Sequence, residues 1–322
     1  MNDFKELAAL CDGKHVYIQT HNFPDPDAIA SAFGLQRLLE LHDIQSTICY
    51  DGRLDKLSAS EMLEAFQIEM FPYEALRPDL SEQDYIICVD AQKHAGNITG
   101  FVGEEVACID HHPTFVPMEY CYQDIRPVGA CATLIAQYFQ QLGRNPDRAV
   151  ATALLYGLKM DTLQFTRGVT ELDIAMFAFL FPLCDREALA RLERNNMEFG
   201  DLKAYGAAIE CIEIYDRMGI SDVPFPCPDA LIAIISDFIL ALQEVEVAVM
   251  CSHREDGIKF SVRSEDPAIH AGHLIHDALQ GYGDGGGHAE MAGGMIHEES
   301  VHLLGKYPKD TIRELFLRAL SR

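Results

Sequence analysis

The chain has 322 residues, 48 % of them hydrophobic and 23 % charged, which suits two soluble folded domains rather than one core. Its formal net charge of -25 argues against a protein that tracks along long duplex nucleic acid, because polyanion binding rests on Lys and Arg displacing counterions. A small anionic substrate remains compatible where cations sit in the site. The longest apolar runs, 174–184 and 231–242, are short or interrupted by Asp237, and a membrane span needs roughly 20 apolar residues. Residues 1–10 lack a basic start followed by an apolar stretch, so no signal peptide is expected. The ten cysteines form no C-x-x-C pair, and Cys49, Cys88 and Cys108 lie in apolar strand-like runs. A reducing, cytoplasmic setting follows as an expectation.

Residues 15–20 read as a strand, followed by an acidic loop and a helix over 28–41. Further strands are expected at 46–50, 85–89 and 106–109, the last two almost wholly apolar. Apolar strands between helices predict a parallel sheet covered on both faces, a doubly wound α/β layer of about five strands. Helical spacing then runs through 128–143, 149–158 and 170–183. The charged stretch 185–204 reads as a linker helix. Beyond it, strands are expected at 212–220, 245–252 and 258–264, the last two joined through Glu255-Asp256-Gly257. A helix over 270–280 leads into a glycine-dense loop. The organisation expected is an N-terminal, mainly parallel sheet domain (1–184), the linker (185–204), and a smaller mixed α/β C-terminal domain (205–322) across a cleft.

Four places in the first half carry acids or histidines at an element's end. They are His21 with Asp25 and Asp27, Asp90, the triplet Asp110-His111-His112, and Asp161. In open α/β sheets, ligands bind outside the carboxyl ends of the strands, so these groups converge on one crevice. One such Asp would be an ordinary turn acid; the whole set is hard to obtain from turn preference alone. Uncompensated acids so close would repel and take up protons, which a divalent cation resolves. Carboxylates and imidazoles without thiolates suit Mn²⁺ or Mg²⁺ better than a structural zinc. Pro24 and Pro26 stiffen the loop that bears Asp25 and Asp27.

The order His-x-x-x-Asp-x-Asp, a lone strand-end Asp, Asp-His-His and Gly-x-x-x-Asp-Thr resembles the four motifs of the DHH phosphoesterase superfamily. The cluster Gly285-Gly286-Gly287-His288 resembles the signature of its accessory DHHA1 domain. The resemblance implies two divalent ions, Mn²⁺ first, with Mg²⁺ or Co²⁺ as substitutes. It implies that His21 and Asp25 hold one, that Asp27, His111 and Asp161 hold the other, and that Asp90 bridges them. Asp110 would orient a histidine of the triplet, and His112 would face the scissile phosphate. Relatives commonly carry Gly between the two loop acids where this chain has Pro26.

In the second half, three consecutive glycines expose backbone N–H groups to which His288 adds a donor, a combination suited to a phosphate. Arg263, at the end of an expected strand, is a second candidate phosphate contact, or else a surface partner of Glu265. His270, His273 and His276 read as a surface or packing stripe. The function implied is hydrolysis of short oligoribonucleotides or small nucleotides to nucleoside monophosphates, with adenosine 3′,5′-bisphosphate as a further substrate. Cyclic-dinucleotide phosphodiesterase and exopolyphosphatase are the rival activities. A nucleotide-binding regulator without turnover is the non-enzymatic alternative. No membrane partner is expected, and a homodimer stays open.

Overall fold

The computed structural model describes residues 3–52, 54, 57–114, 116–194 and 197–321. The chain divides into two compact units, residues 1–196 and 197–322. The first contains α1 (Phe4–Leu10), β1 (Val16–Gln19), α2 (Pro26–Glu40), β2 (Ser46–Tyr50), α3 (Leu57–Phe66), β3 (Met70–Pro72) and α4 (Tyr73–Leu76). It continues with β4 (Tyr85–Val89), β5 (Glu104–Asp110), β6 (Tyr122–Ile125), α5 (Cys131–Gln141), α6 (Arg148–Asp161), α7 (Glu171–Leu180) and α8 (Arg186–Arg194).

Its six strands are all parallel, in the order β3-β2-β1-β4-β5-β6. Successive residues of a strand point to opposite faces, and both faces are buried. Val16 and Ile18 join a large core with α1, α2, α3, α5 and α6. Tyr17, Cys49, Ile86, Cys88 and Cys108 face the other way, where Leu80 and Phe101 cover them with Tyr73 and Leu76 of α4. Apolar character on both faces is what made these strands legible as a parallel sheet. The strand order reverses between β1 and β4, which places the crevice for a ligand beyond their carboxyl ends.

The second unit contains α9 (Asp201–Cys211), β7 (Glu213–Tyr215), β8 (Met218–Val223), α10 (Asp229–Leu240), β9 (Val247–Arg254) and β10 (Gly257–Ser264). There follow α11 (Ala271–Leu279), β11 (Asp284–Gly287), β12 (Met291–His297), α12 (Glu298–Val301) and α13 (Pro308–Leu320). Its sheet runs β11-β12-β10-β9-β8-β7, antiparallel except for the β8–β9 pair. Helices α11 and α13 pack on one face, and α9 and α10 on the other.

Three expectations change. Residues 212–220, expected as one strand, form the β7–β8 hairpin. Asp216 and Arg217 both take positive φ there, the conformation a tight two-residue hairpin turn demands. Residues 185–204, expected as one linker helix, hold α8 and the first turn of α9. Leu189 and Leu192 of α8 enter the first unit's core, whereas Ala204 and Ala208 of α9 enter the second's. The apolar stripe thus changes hosts between them. The glycine cluster, expected as a loop, contributes an edge strand, with Gly285 paired to Gly294 and Gly286 to Gly293. No described helix is long and apolar enough to cross a membrane, and the ten cysteines are free thiols.

Candidate metal centre

The first unit brings His21, Asp25, Asp27, Asp90, Asp110, His111, His112 and Asp161 together from four separate segments. His21 follows β1 and Asp90 follows β4 directly; Asp110 ends β5 and precedes both other histidines. Asp25 is the N-cap of α2 and accepts from the amides of Asp27 and Ala28 at 3.0 and 3.1 Å. Pro26 at the first helical position has no N–H to leave unpaired, and its fixed φ pre-forms the turn. The two loop acids are therefore set by a helix start.

Asp27 has a second task. The N-cap of α5 is Ala130, which offers no side-chain acceptor. Asp27 reaches across instead, accepting from Cys131 N at 2.7 Å and Ala132 N at 2.9 Å. A carboxylate at a helix N-terminus is stabilised by those unpaired amides and by the helix dipole. That anchorage fixes where Asp27 points.

Asp161 meets this group because α2 and α6 pass unusually close. A Cβ on Gly157 would lie 3.0 Å from Asp27 Cα and 3.1 Å from Pro26 O. This is the physical reason for a glycine four residues before Asp161. Gly157→Val is expected to destabilise the fold by about 1–3 kcal/mol through overpacking. It should also weaken divalent-cation binding by displacing Asp161 from Asp27. Chemical denaturation and a Mn²⁺ titration of the same variant check both.

The histidines are oriented by backbone. His21 Nδ1 lies 2.8 Å from Asn22 O, and His111 Nδ1 lies 3.0 Å from Val128 O. A carbonyl only accepts, so each Nδ1 carries the proton and each Nε2 presents its lone pair. Those lone pairs face carboxylates. His21 Nε2 is 3.6 Å from Asp90 and 3.9 Å from Asp25. His111 Nε2 is 3.3 Å from both Asp90 and Asp161, and 3.9 Å from Asp27. Buried Asp90 Oδ1 and His111 Nε2 make no hydrogen bond despite facing each other at 3.3 Å.

Electron pairs aimed at electron pairs in a buried site require a cation between them. Without one, protons must serve. Burial would lower His21, but Asp25 and Asp90 outweigh it and raise its pKa to about 9. His111 likewise rises well above its ordinary value, through Asp90, Asp161 and Asp27 against burial. Burial, with Asp25 and Asp90 acting against His111, raises Asp161 to about 6. Asp27 is pushed well up by burial and by Asp90 and Asp161. Two carboxylates about 4 Å apart repel by about 4 kcal/mol at an effective dielectric constant of about 20. The donors fall into two sets, His21/Asp25/Asp90 and Asp27/His111/Asp161, each with its atoms within 4.8 Å of one another. This all-oxygen-and-imidazole set fits hard or borderline divalent cations. Asp90 itself sits at φ 57°, a left-handed conformation that costs a non-glycine residue about 1–2 kcal/mol.

Asp110 groups with Asp90, His111 and His112, whose donor atoms also lie within 4.8 Å of one another. Its Oδ1 lies 2.8 Å from His112 Nδ1 and accepts from the amides of His111 and His112. Its Oδ2 accepts from Gln92 Nε2 at 2.7 Å. Burial would raise its carboxyl, but His112 and Gln92 hold it below the usual range. Sequence reasoning passed over Gln92, which matches no motif. It also did not anticipate the Asn22 and Val128 carbonyls, which no side-chain pattern can signal. Arg167 donates to the Asp161 carbonyl at 3.2 Å.

The remaining candidates lie in the second unit. Arg263 is neither an exposed cation nor a partner of Glu265. It is 8 % exposed and bound to Asp237 Oδ1 at 2.7 Å, with Ser261 Oγ and Val262 O each at 3.1 Å. Helix α10 lies over its strand, so the side chain turns inward. Gly285, Gly286 and Gly287 lie in β11, and His288 follows, its amide donating to Met291 O at 2.7 Å. The glycines let β11 lie against its neighbours: a Cβ on Gly285 would lie 2.9 Å from Ile275 Cγ1 of α11, and one on Gly287, at φ 148°, 2.6 Å from Met291 O of β12.

Residues 15–158 match the DHH family, N-terminal domain, and residues 221–314 match the DHHA1 domain. An uncharacterised protein of Methanocaldococcus jannaschii is 28 % identical over 281 residues, which are 87 % of this chain and 57 % of that protein. A Streptococcus pyogenes protein described as a probable manganese-dependent inorganic pyrophosphatase is 28 % identical over 185 residues, 55 % of each chain. The chain thus spans little more than half the length of these curated relatives. Among solved structures, an exopolyphosphatase-related protein of Bacteroides fragilis superposes with a TM-score of 0.77 at 16 % identity, covering 98 % of this chain and 96 % of that one. That last likeness is one of fold.

Proposed function

The chain belongs to the DHH family and carries a DHHA1 domain, and we propose that it is a two-metal phosphoesterase acting on short oligoribonucleotides or small nucleotides. The observation that carries this reading is the pair of backbone-oriented histidines whose Nε2 lone pairs face a knot of carboxylates. His21 and Asp25 are proposed to hold one ion, Asp27, His111 and Asp161 the other, and Asp90 both. The manganese dependence ascribed to the Streptococcus relative supports Mn²⁺ as the first choice. Two such ions, when bound, lower the pKa of water and offset charge on phosphoryl oxygens.

His112 is proposed to donate a hydrogen bond from a ring N–H to a phosphoryl oxygen. Its Nδ1 is committed to Asp110, so the donor is Nε2. Asp110 and Asp90 raise its pKa against burial, which favours the protonated ring that this role needs. The expected effect of His112→Asn is a kcat about 10²–10⁴-fold lower, with Mn²⁺ stoichiometry unchanged. In the second unit, Gly285, Gly286, Gly287 and His288 are proposed to meet a substrate phosphate. Arg263, already committed to Asp237, would act as a fixed charge in β10, separated from the edge strand by β12.

The test is a panel of initial rates with Mn²⁺, wild type beside His112→Asn. It comprises dinucleotides, pentanucleotides, cyclic dinucleotides, adenosine 3′,5′-bisphosphate, polyphosphate and pyrophosphate. The proposal expects the short linear ribonucleotides to lead. Fastest turnover of cyclic dinucleotides or polyphosphate would transfer the assignment to those activities. Nucleotide binding without turnover of any of them would make the protein a regulator.

A further inference from the structure

Gln92 lies two residues beyond Asp90, in the segment that leaves β4, and is 5 % exposed. Its Nε2 donates to Asp110 Oδ2 at 2.7 Å and to the backbone carbonyl of His112 at 2.9 Å. Both partners are acceptors only, so the amide orientation is dictated: the nitrogen, not the oxygen, faces them. One side chain thus grips the triplet at two points, its carboxylate and the backbone of its last histidine. The other oxygen of Asp110 is saturated by His112 Nδ1 and two amides. Without Gln92, Oδ2 would be a buried acceptor with no donor, and the carboxylate could rotate or take a proton.

We infer that Gln92 is the positioning residue of the proposed hydrolysis: it locks Asp110 in the rotamer that pins the His112 ring, and so fixes which nitrogen of His112 meets the phosphate. The inference rests on the phosphoesterase reading for its kinetic consequence but not for its structural one. Gln92 touches no proposed metal donor atom, so its loss acts on His112 and spares the ions. This separates it from a residue that merely supports the fold.

Gln92→Met keeps length and bulk and removes both donors. Gln92→Glu keeps the shape and sets a carboxylate against Asp110. The expected result for Gln92→Met with Mn²⁺ and the best substrate of the panel is a kcat 10–100-fold lower, as for other groups that orient a site residue. KM and the two-ion Mn²⁺ stoichiometry should stay within twofold of wild type. Gln92→Glu should fall further. Added to Asp110→Asn, the Met substitution should change kcat by less than threefold, because both act through the same ring. An independent reading needs no turnover. In a long-range ¹H–¹⁵N spectrum of the metal-free protein, with His112 assigned by its loss in His112→Asn, the wild-type ring should show a protonated Nδ1. Gln92→Met should move that signal toward a mixed or exchanging ring. An unchanged His112 signal overturns the inference whether or not the wild type hydrolyses anything. Equal losses of kcat and Mn²⁺ binding would do so as well. If the wild type is inactive while the signal moves as stated, the phosphoesterase reading fails and the positioning role stands.

Discussion

Asp90→Asn should lower kcat by at least about 10³-fold, roughly 4 kcal/mol of transition-state stabilisation, while removing most of the stability that Mn²⁺ adds to the fold. Both halves follow from one geometry. Asp90 belongs to the first donor set, 3.6 Å from His21, and also faces His111 of the second at 3.3 Å. It is also one of the charges that push Asp27 and Asp161 up. Asn keeps the shape and tolerates the left-handed φ, so the change isolates charge from backbone strain. Without a metal the loss of charge acts both ways: repulsion from Asp27 and Asp161 eases, and the attraction that raises His21 and His111 goes with it. Thermal denaturation with and without Mn²⁺ checks the claim. Wild type should melt higher with the ion; Asp90→Asn should gain little from it. A variant that gains as much from Mn²⁺ as wild type would show that Asp90 is merely a structural turn residue.

The second large effect is on pH. In the metal-free protein His21 titrates near 9, above its ordinary value near 6.5. A raised folded-state pKa stabilises the fold fully below the unfolded value, and that stability is lost as pH rises through the folded one. For His21 the loss between pH 6.5 and 9 is on the order of 3 kcal/mol. Asp161, raised to about 6, has the same sign: its ionisation disfavours the metal-free fold as pH climbs from about 4 to 6. The metal-free protein should therefore lose stability steadily from pH 5 to 9. Metal binding has the opposite trend, because donors must shed their protons first. Mn²⁺ affinity should rise roughly tenfold per pH unit or more between 6 and 8. Calorimetry in buffers of different ionisation enthalpy should detect at least about one proton released per chain at pH 7.5. No proton release, or stability rising with pH without metal, would contradict the lone-pair geometry.

Much of this centre was legible because its chemistry interrupts a strong apolar pattern. Asp90 and Asp110 directly follow the buried, apolar runs 86–89 and 106–109, so an acid there stands out. The reasons for the placements were not legible. Gly157 gives no sign that its missing Cβ lets α6 approach Asp27. Strand β6 was hidden by Asp124, a buried acid that reads as loop until Arg126 and Tyr138 are seen to satisfy it. Arg263 misled for a related reason. Its partner Asp237 lies 26 residues earlier, on a helix read only as an apolar run. The glycine cluster reads as flexible because glycine permits everything, yet here pairing with β12 draws it into an edge strand.

The central claim is that distant carboxylates and imidazoles form one cage for a pair of cations. Electron paramagnetic resonance during a Mn²⁺ titration of chelator-stripped protein tests it most directly. The cage predicts two tightly bound ions per chain and a spin-coupled multiline signal, as for ions about 3.5–4 Å apart, both lost in Asp90→Asn. A single ion, or two ions with uncoupled six-line spectra, would contradict it.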